Sequence, residues 1–156
     1  MDARFNNSYQ LEVVMDFPVI SDAQIQAMAG ERSFERGLEY FESGMVESVL
    51  QRGNMIQAVV CGSEDYLYDV AVHTKNAEQI STQCTCPYDY GPICKHSVAV
   101  LLFLLYCPEQ VVQRPPIRAT LDELDDSQIR SLLLDVAEQH PEITTLVEQH
   151  IERLGF

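Results

Sequence analysis

The chain has 156 residues, 46% of them apolar, the length and composition of one ordinary globular domain with room for a small appendage. Ten basic residues against twenty-four acidic ones give a net charge of −14, a field that repels a phosphate backbone and argues against autonomous binding of duplex DNA. The start, MDARFNNSYQLEVV, lacks the basic and apolar regions of a secretion signal, and the longest apolar run, Val98 to Tyr106, falls well short of a membrane span, so a cytoplasmic address is expected.

Residues 1–32 read as a leader followed by a short helix. Ser21-Asp-Ala-Gln24 has the form of a capping box, and Ile25 and Met28 supply an apolar face that ends at Gly30. A second helix is predicted from Ser33, where Phe34, Leu38 and Phe41 recur at helical spacing and Gly44 stands as a left-handed stop. The rhythm then changes to period 2. Val46, Ser48 and Leu50 fall on one face, Arg52-Gly53-Asn54 is a turn, and Ile56, Ala58 and Val60 continue a hairpin. Gly62-Ser63-Glu64 makes the next reversal. A third strand follows with Tyr66, Tyr68, Val70 and Val72 inward and Leu67, Asp69, Ala71 and His73 outward. Lys75-Asn76 turns into a fourth strand from Gln79 to Cys84. The run Val98 to Tyr106 is apolar on every side and predicts a buried helix, ended by Pro108. Residues 108–119, with Arg114-Pro115-Pro116-Ile117-Arg118, read as an extended connector. Residues 120–156 carry nine acids and two bases; Ile129, Leu132, Leu133 and Val136 mark one helix, and Ile143, Val147, Ile151 and Leu154 mark another beyond His140-Pro141. The fold class expected is α+β: a small antiparallel β-meander with flanking helices, leading through a cysteine-rich turn into a buried helix over 33–107, then an acidic helical hairpin.

The meander delivers the chain to CTCPYDYGPICKHS, residues 84 to 97, with the pattern Cys84-x-Cys86, seven residues, Cys94-x-His96. Residues two apart on a strand project to one side, so Cys84 and Cys86 present their sulfurs together. On a regular helix residues two apart diverge by about 200°. Cys94 must therefore sit at or before the helix start, with His96 in the first turn, if both are to meet one ion. The positive end of the helix dipole stabilises thiolate there, and Lys95 adds positive charge near three sulfurs. Pro87, Gly91 and Pro92 supply a stiff, turning connection. Three sulfurs and one imidazole suit a single, closed, structural Zn2+ site, and reduced intracellular thiols favour metal over disulfide.

Other readings were weighed. Cys61 and Cys107 are fillers in apolar surroundings; a Cys84–Cys86 disulfide would be severely strained; a Cys86–Cys94 redox pair would leave His96 unexplained. A catalytic Cys–His couple would need an open cleft and an orienting group, of which the sequence gives no sign. His73, His140 and His150 are expected at the surface or at caps, and Phe34, Tyr40, Phe41, Tyr66 and Tyr68 in the core.

The quartet resembles the SWIM zinc finger, Cys-x-Cys, a variable spacer, then Cys-x-His. SFERGLEYFESGMVESV at 33 to 49 and CTCPYDYGPICKHSVAVLL at 84 to 102 extend the likeness to about half the chain. The resemblance implies Cys84, Cys86, Cys94 and His96 as ligands of a zinc knuckle used in DNA binding and protein interaction, without catalysis by the finger. It also implies association with Swi/Snf-type or other DNA-processing ATPases. No G-x-x-x-x-G-K-[ST] loop occurs, so an ATPase would be a partner in trans. The expected role is a protein-interaction module with no small-molecule substrate. The alternative is a nucleic-acid binder in which Arg32, Arg36, Arg52, Lys75 and Lys95 gather on one face, against the acidic balance of the zinc domain itself: ten acids and five bases over Glu31 to Cys107.

Overall fold

The computed structural model describes residues 17–18, 20–76 and 79–155, with the backbone alone at 75 and 76. The chain divides into two compact units that meet in sequence between Arg114 and Pro115.

In the first unit, α1 (Asp22–Ala29) opens with the predicted capping box. Ser21 Oγ accepts the Gln24 N–H, and Gln24 Oε1 accepts the Ser21 N–H. Ile25 and Ala29 turn inward, and Gly30, at φ 77°, re-aims the chain into α2 (Glu31–Glu42). This second helix starts two residues before the predicted Ser33. Phe34, Leu38 and Phe41 pack against the core as expected, yet the most buried positions of α2 are Ser33 and Gly37. A Cβ on Gly37 would lie 2.3 Å from Val98 Cγ1. The absent side chain is what allows α2 to cross α3 (Lys95–Tyr106) at close range.

Strands β1 (Val46–Arg52), β2 (Met55–Cys61), β3 (Leu67–Asn76) and β4 (Gln79–Cys84) form the expected antiparallel meander. A fifth strand, β5 (Val112–Arg114), lies parallel to β1 at the edge, giving the order β4-β3-β2-β1-β5. It falls inside the segment read as a connector. The extended bias of residues near proline suits an edge strand as well as a linker, and Gln113 Nε2 donates to Gln51 Oε1 to seat it.

Three local readings are corrected. Val46 does not share a face with Ser48 and Leu50: it packs against the core with the buried Val49, because a bulge between Val46 and Ser48 adds a residue and inverts the alternation. Tyr66 precedes β3 and is 61% exposed; it follows a 3-10 turn, Ser63–Asp65, in which Glu64 and Asp65 take positive φ. Lys75 and Asn76 belong to β3, where Asn76 pairs with Gln79, and residues 77–78 lie outside the described residues. Tyr68, Val70 and Val72 point inward as predicted, Tyr68 half-buried and the two valines fully so.

One sheet face, through Val49, Ile56, Ala58, Val60, Val70 and Val72, packs with Ile25 and with the Val98–Leu102 stretch of α3 into a single core. Leu101 and Leu102, like Val98 and Val100, have no exposed surface, as the all-round apolar run requires.

The second unit holds α4 (Ile117–Leu121), α5 (Asp126–Gln139) and α6 (Pro141–Leu154). The short α4 was not predicted. In α5 Asp125 and Gln128 form another capping box, Pro141 occupies the first turn of α6, and Gly155 closes it in the left-handed region. No residue within these three helices is buried.

Candidate metal centre

The site lies where β4 leaves the sheet and α3 begins. Cys84 is the last residue of β4, and Cys86 follows two positions on. Cys94 is the N-cap of α3, in extended backbone, and His96 is in its first turn, the placement that convergence on one ion demands. One donor atom from each of Cys84, Cys86, Cys94 and His96 lies within 4.8 Å of every other. His96 Nδ1 is 3.7 Å from Cys84 Sγ and 4.0 Å from Cys94 Sγ. Metal bonds of about 2.0–2.3 Å set tetrahedrally would separate neighbouring donors by roughly 3.5–3.8 Å, so these spacings fit a zinc ion with little adjustment.

Proton chemistry within the cluster points the same way. The Cys94 thiol is held well below its ordinary range, first by the hydrogen bond from Cys84 and further by His96 and Ser97. The Ser97 N–H donates to Cys94 Sγ at 3.5 Å, so the open end of α3 faces this sulfur. Cys84 is pushed up, first by its hydrogen bond to Cys94 and then by burial, and Cys86 is pushed up chiefly by burial. These directions favour thiolate, the form that ligates a metal, first at Cys94.

His96 supports the fit independently. It is buried, its Nε2 has no hydrogen-bond partner among the described residues, and its Nδ1 faces the sulfurs of Cys84 and Cys94. Tyr68 stacks on the ring at a centroid separation of 4.5 Å, and Tyr40 meets it edge-on at 5.3 Å. An ion among the sulfurs would give Nδ1 a stronger partner than a thiol. The aromatic walls were not anticipated as part of the site. Gly62 was a usable signal, because a Cβ there would lie 2.3 Å from the Tyr68 ring.

The connection between the two ligand pairs is tied down by Tyr88, whose hydroxyl lies 3.0 Å from the buried Ser33 Oγ of α2. Lys95 does not reach toward the sulfurs. Its Nζ donates to the Tyr40 hydroxyl and lies 4.1 Å from that ring's centroid. Cys61 and Cys107 are half-buried and outside the cluster. Of the basic set, Arg32 and Arg36 are exposed on α2, Arg52 ends β1, Lys95 is packed on Tyr40, and the Lys75 side chain is outside the described residues. His140 caps α6 and lies 3.4 Å from Glu142, and His150 is exposed on the same helix.

Residues 68–105 match the SWIM zinc finger family, a family whose name and donor pattern imply zinc. The matched part begins at Tyr68, after α2, β1 and β2. Over 98 residues, 62% of the chain, it is 33% identical to Zinc finger SWIM domain-containing protein 8 homolog of Drosophila melanogaster, and it spans 5% of that protein's length. No solved structure matches. Among the described residues no helix is long and apolar enough to cross a membrane.

Proposed function

We propose that Cys84, Cys86, Cys94 and His96 hold one structural zinc ion, and that the module so fixed makes protein–protein contacts in the cytoplasm, where its thiols stay reduced. A DNA-processing or Swi/Snf-type ATPase is the partner class the finger suggests. The observation that carries the reading is the convergence of all four donors within 4.8 Å at the start of a buried helix. With every tetrahedral position filled by protein, the ion has no place for substrate, and its role is to join strand end to helix start. Such a site contributes to folding on the order of 10 kcal/mol. The acidic balance favours a protein partner over a nucleic acid, which stays the second reading on the strength of the family alone.

Elemental analysis of the purified chain is expected to give one zinc per molecule, lost in Cys84→Ser and in His96→Ala but kept in Cys61→Ser and Cys107→Ser. A cleanly folded chain without metal, insensitive to chelator, would contradict the zinc reading. Titration with single- and double-stranded DNA at low and high salt decides between partner classes: phosphate contact weakens steeply with salt, and the expected result is no binding at either.

A further inference from the structure

We propose that Thr85, the residue between the first two donors, is a positioning residue that bends the strand end and brings the sulfurs of Cys84 and Cys86 to one ion. The inference rests on the zinc reading and names what shapes its site. A β-strand rises about 3.3 Å per residue, so a straight continuation of β4 would hold the side-chain roots of Cys84 and Cys86 about 6.5 Å apart on one side. Two thiolates on one tetrahedral zinc ion are separated by only about 3.8 Å. The strand end must therefore bend. The two sulfurs lie within 4.8 Å of each other, and the backbone bends at Thr85 and Cys86, directly after β4 ends.

Hydrogen bonding shows how the bend is made. The β3–β4 register pairs Val70 with Cys84, which sets Asp69 opposite Thr85. The Thr85 N–H donates to the Asp69 carbonyl at 3.0 Å, as in a hydrogen-bonded pair of an antiparallel ladder. In a regular pair the Asp69 N–H would return the bond to the Thr85 carbonyl. Here it donates to Thr85 Oγ1 at 3.0 Å. The hydroxyl thus stands in for the carbonyl of its own residue. Asp69 keeps both backbone bonds, and the chain leaves the sheet one peptide early, with Cys86 turned toward the other donors. Thr85 is exposed, so core packing does not account for it. Valine has nearly the same shape but cannot accept that bond. With valine at this position the Asp69 N–H is expected to return to the carbonyl, straightening the strand end and parting the two sulfurs.

The test uses the full zinc-loaded chain. Thr85→Val is expected to give up zinc to a chromophoric chelator about three- to tenfold faster than the unsubstituted chain, the effect of one hydrogen bond. Thr85→Ser, which restores the hydroxyl, should restore the rate, and Ser81→Ala, exposed on β4, should leave it unchanged. Cobalt(II) in place of zinc gives a ligand-field spectrum that reports the arrangement of the donors. That spectrum should shift in Thr85→Val and return in Thr85→Ser. Hydrogen exchange of the β4 amides in the zinc-loaded proteins separates positioning from plain stabilisation, because Thr85→Val completes the ladder and should keep their protection. Faster exchange along β4 with unchanged zinc release would make Thr85 an ordinary strand-end cap and overturn the proposal. So would a Thr85→Val chain that matches the unsubstituted one in zinc release and cobalt spectrum, or a Thr85→Ser chain that behaves like Thr85→Val. Zinc counted on the same samples separates the two ideas. An unsubstituted chain that holds zinc while Thr85→Val changes nothing defeats this inference alone, whereas an unsubstituted chain without zinc defeats the zinc reading and this inference with it.

Discussion

Gly37 carries no donor and no charge, yet it controls how closely α2 approaches the helix that presents Cys94 and His96. A methyl group there would meet Val98 Cγ1 at 2.3 Å and the Lys95 carbonyl oxygen at 2.9 Å, and neither branched side chain nor helix backbone can swing aside. Gly37→Ala should destabilise the fold by about 1–3 kcal/mol, read from urea unfolding midpoints, although alanine favours helix by propensity. A neutral or stabilising result would mean that α2 and α3 do not cross as described. Chemistry at the thiols makes a second prediction at this scale. Cys94 is lowered and Cys84 and Cys86 are raised, so thiolate forms first at Cys94. Zinc must displace the remaining thiol protons. Uptake should release protons, and apparent affinity should rise with pH through the thiol range and fall on acidification. Titration of zinc into weakly buffered protein with a pH indicator counts them; affinity independent of pH would contradict the assignment.

The ion would connect the end of β4 to the start of α3, whose link along the chain is a turning loop tied to α2 by the Ser33–Tyr88 contact. Removing zinc should therefore loosen the segment from Cys84 to Ser97 before the rest of the sheet. Hydrogen exchange after chelation is expected to quicken by about tenfold or more at the end of β4 and the first turn of α3, while the β2–β3 pairing changes later. Uniform loss of protection would assign the ion to the whole core instead. The order of strands and helices, and the position of Cys94 at a helix start, were legible because period 2, period 3.6 and S-x-x-Q are local signals. What escaped depends on distant partners. The bulge at Val46–Ser48 is fixed by pairing with β2, and β5, only three residues long, is a strand because β1 lies beside it. The enclosure of His96 by Tyr68 and Tyr40 arises only when three elements converge. The four donors could be read from spacing alone, since both pairs are close in sequence; the aromatic walls could not.

At the scale of the molecule, the distribution of burial separates two jobs. Every buried residue described lies at or before Val111, and the helices beyond Pro115 have none. Stability should then reside in the first unit, together with β5, whose Gln113 contact to Gln51 closes the sheet edge. A chain stopped after Arg114 is expected to fold cooperatively, to bind one zinc, and to melt within a few degrees of the full chain, because it keeps the core, the four donors and all five strands. Stopping after Cys107 instead removes β5 and exposes the edge of β1, so that shorter chain should melt lower or aggregate. Calorimetry with metal analysis on both truncations reads the difference. If the chain ending at Arg114 unfolds or fails to hold zinc, the assignment of stability to the first unit is wrong.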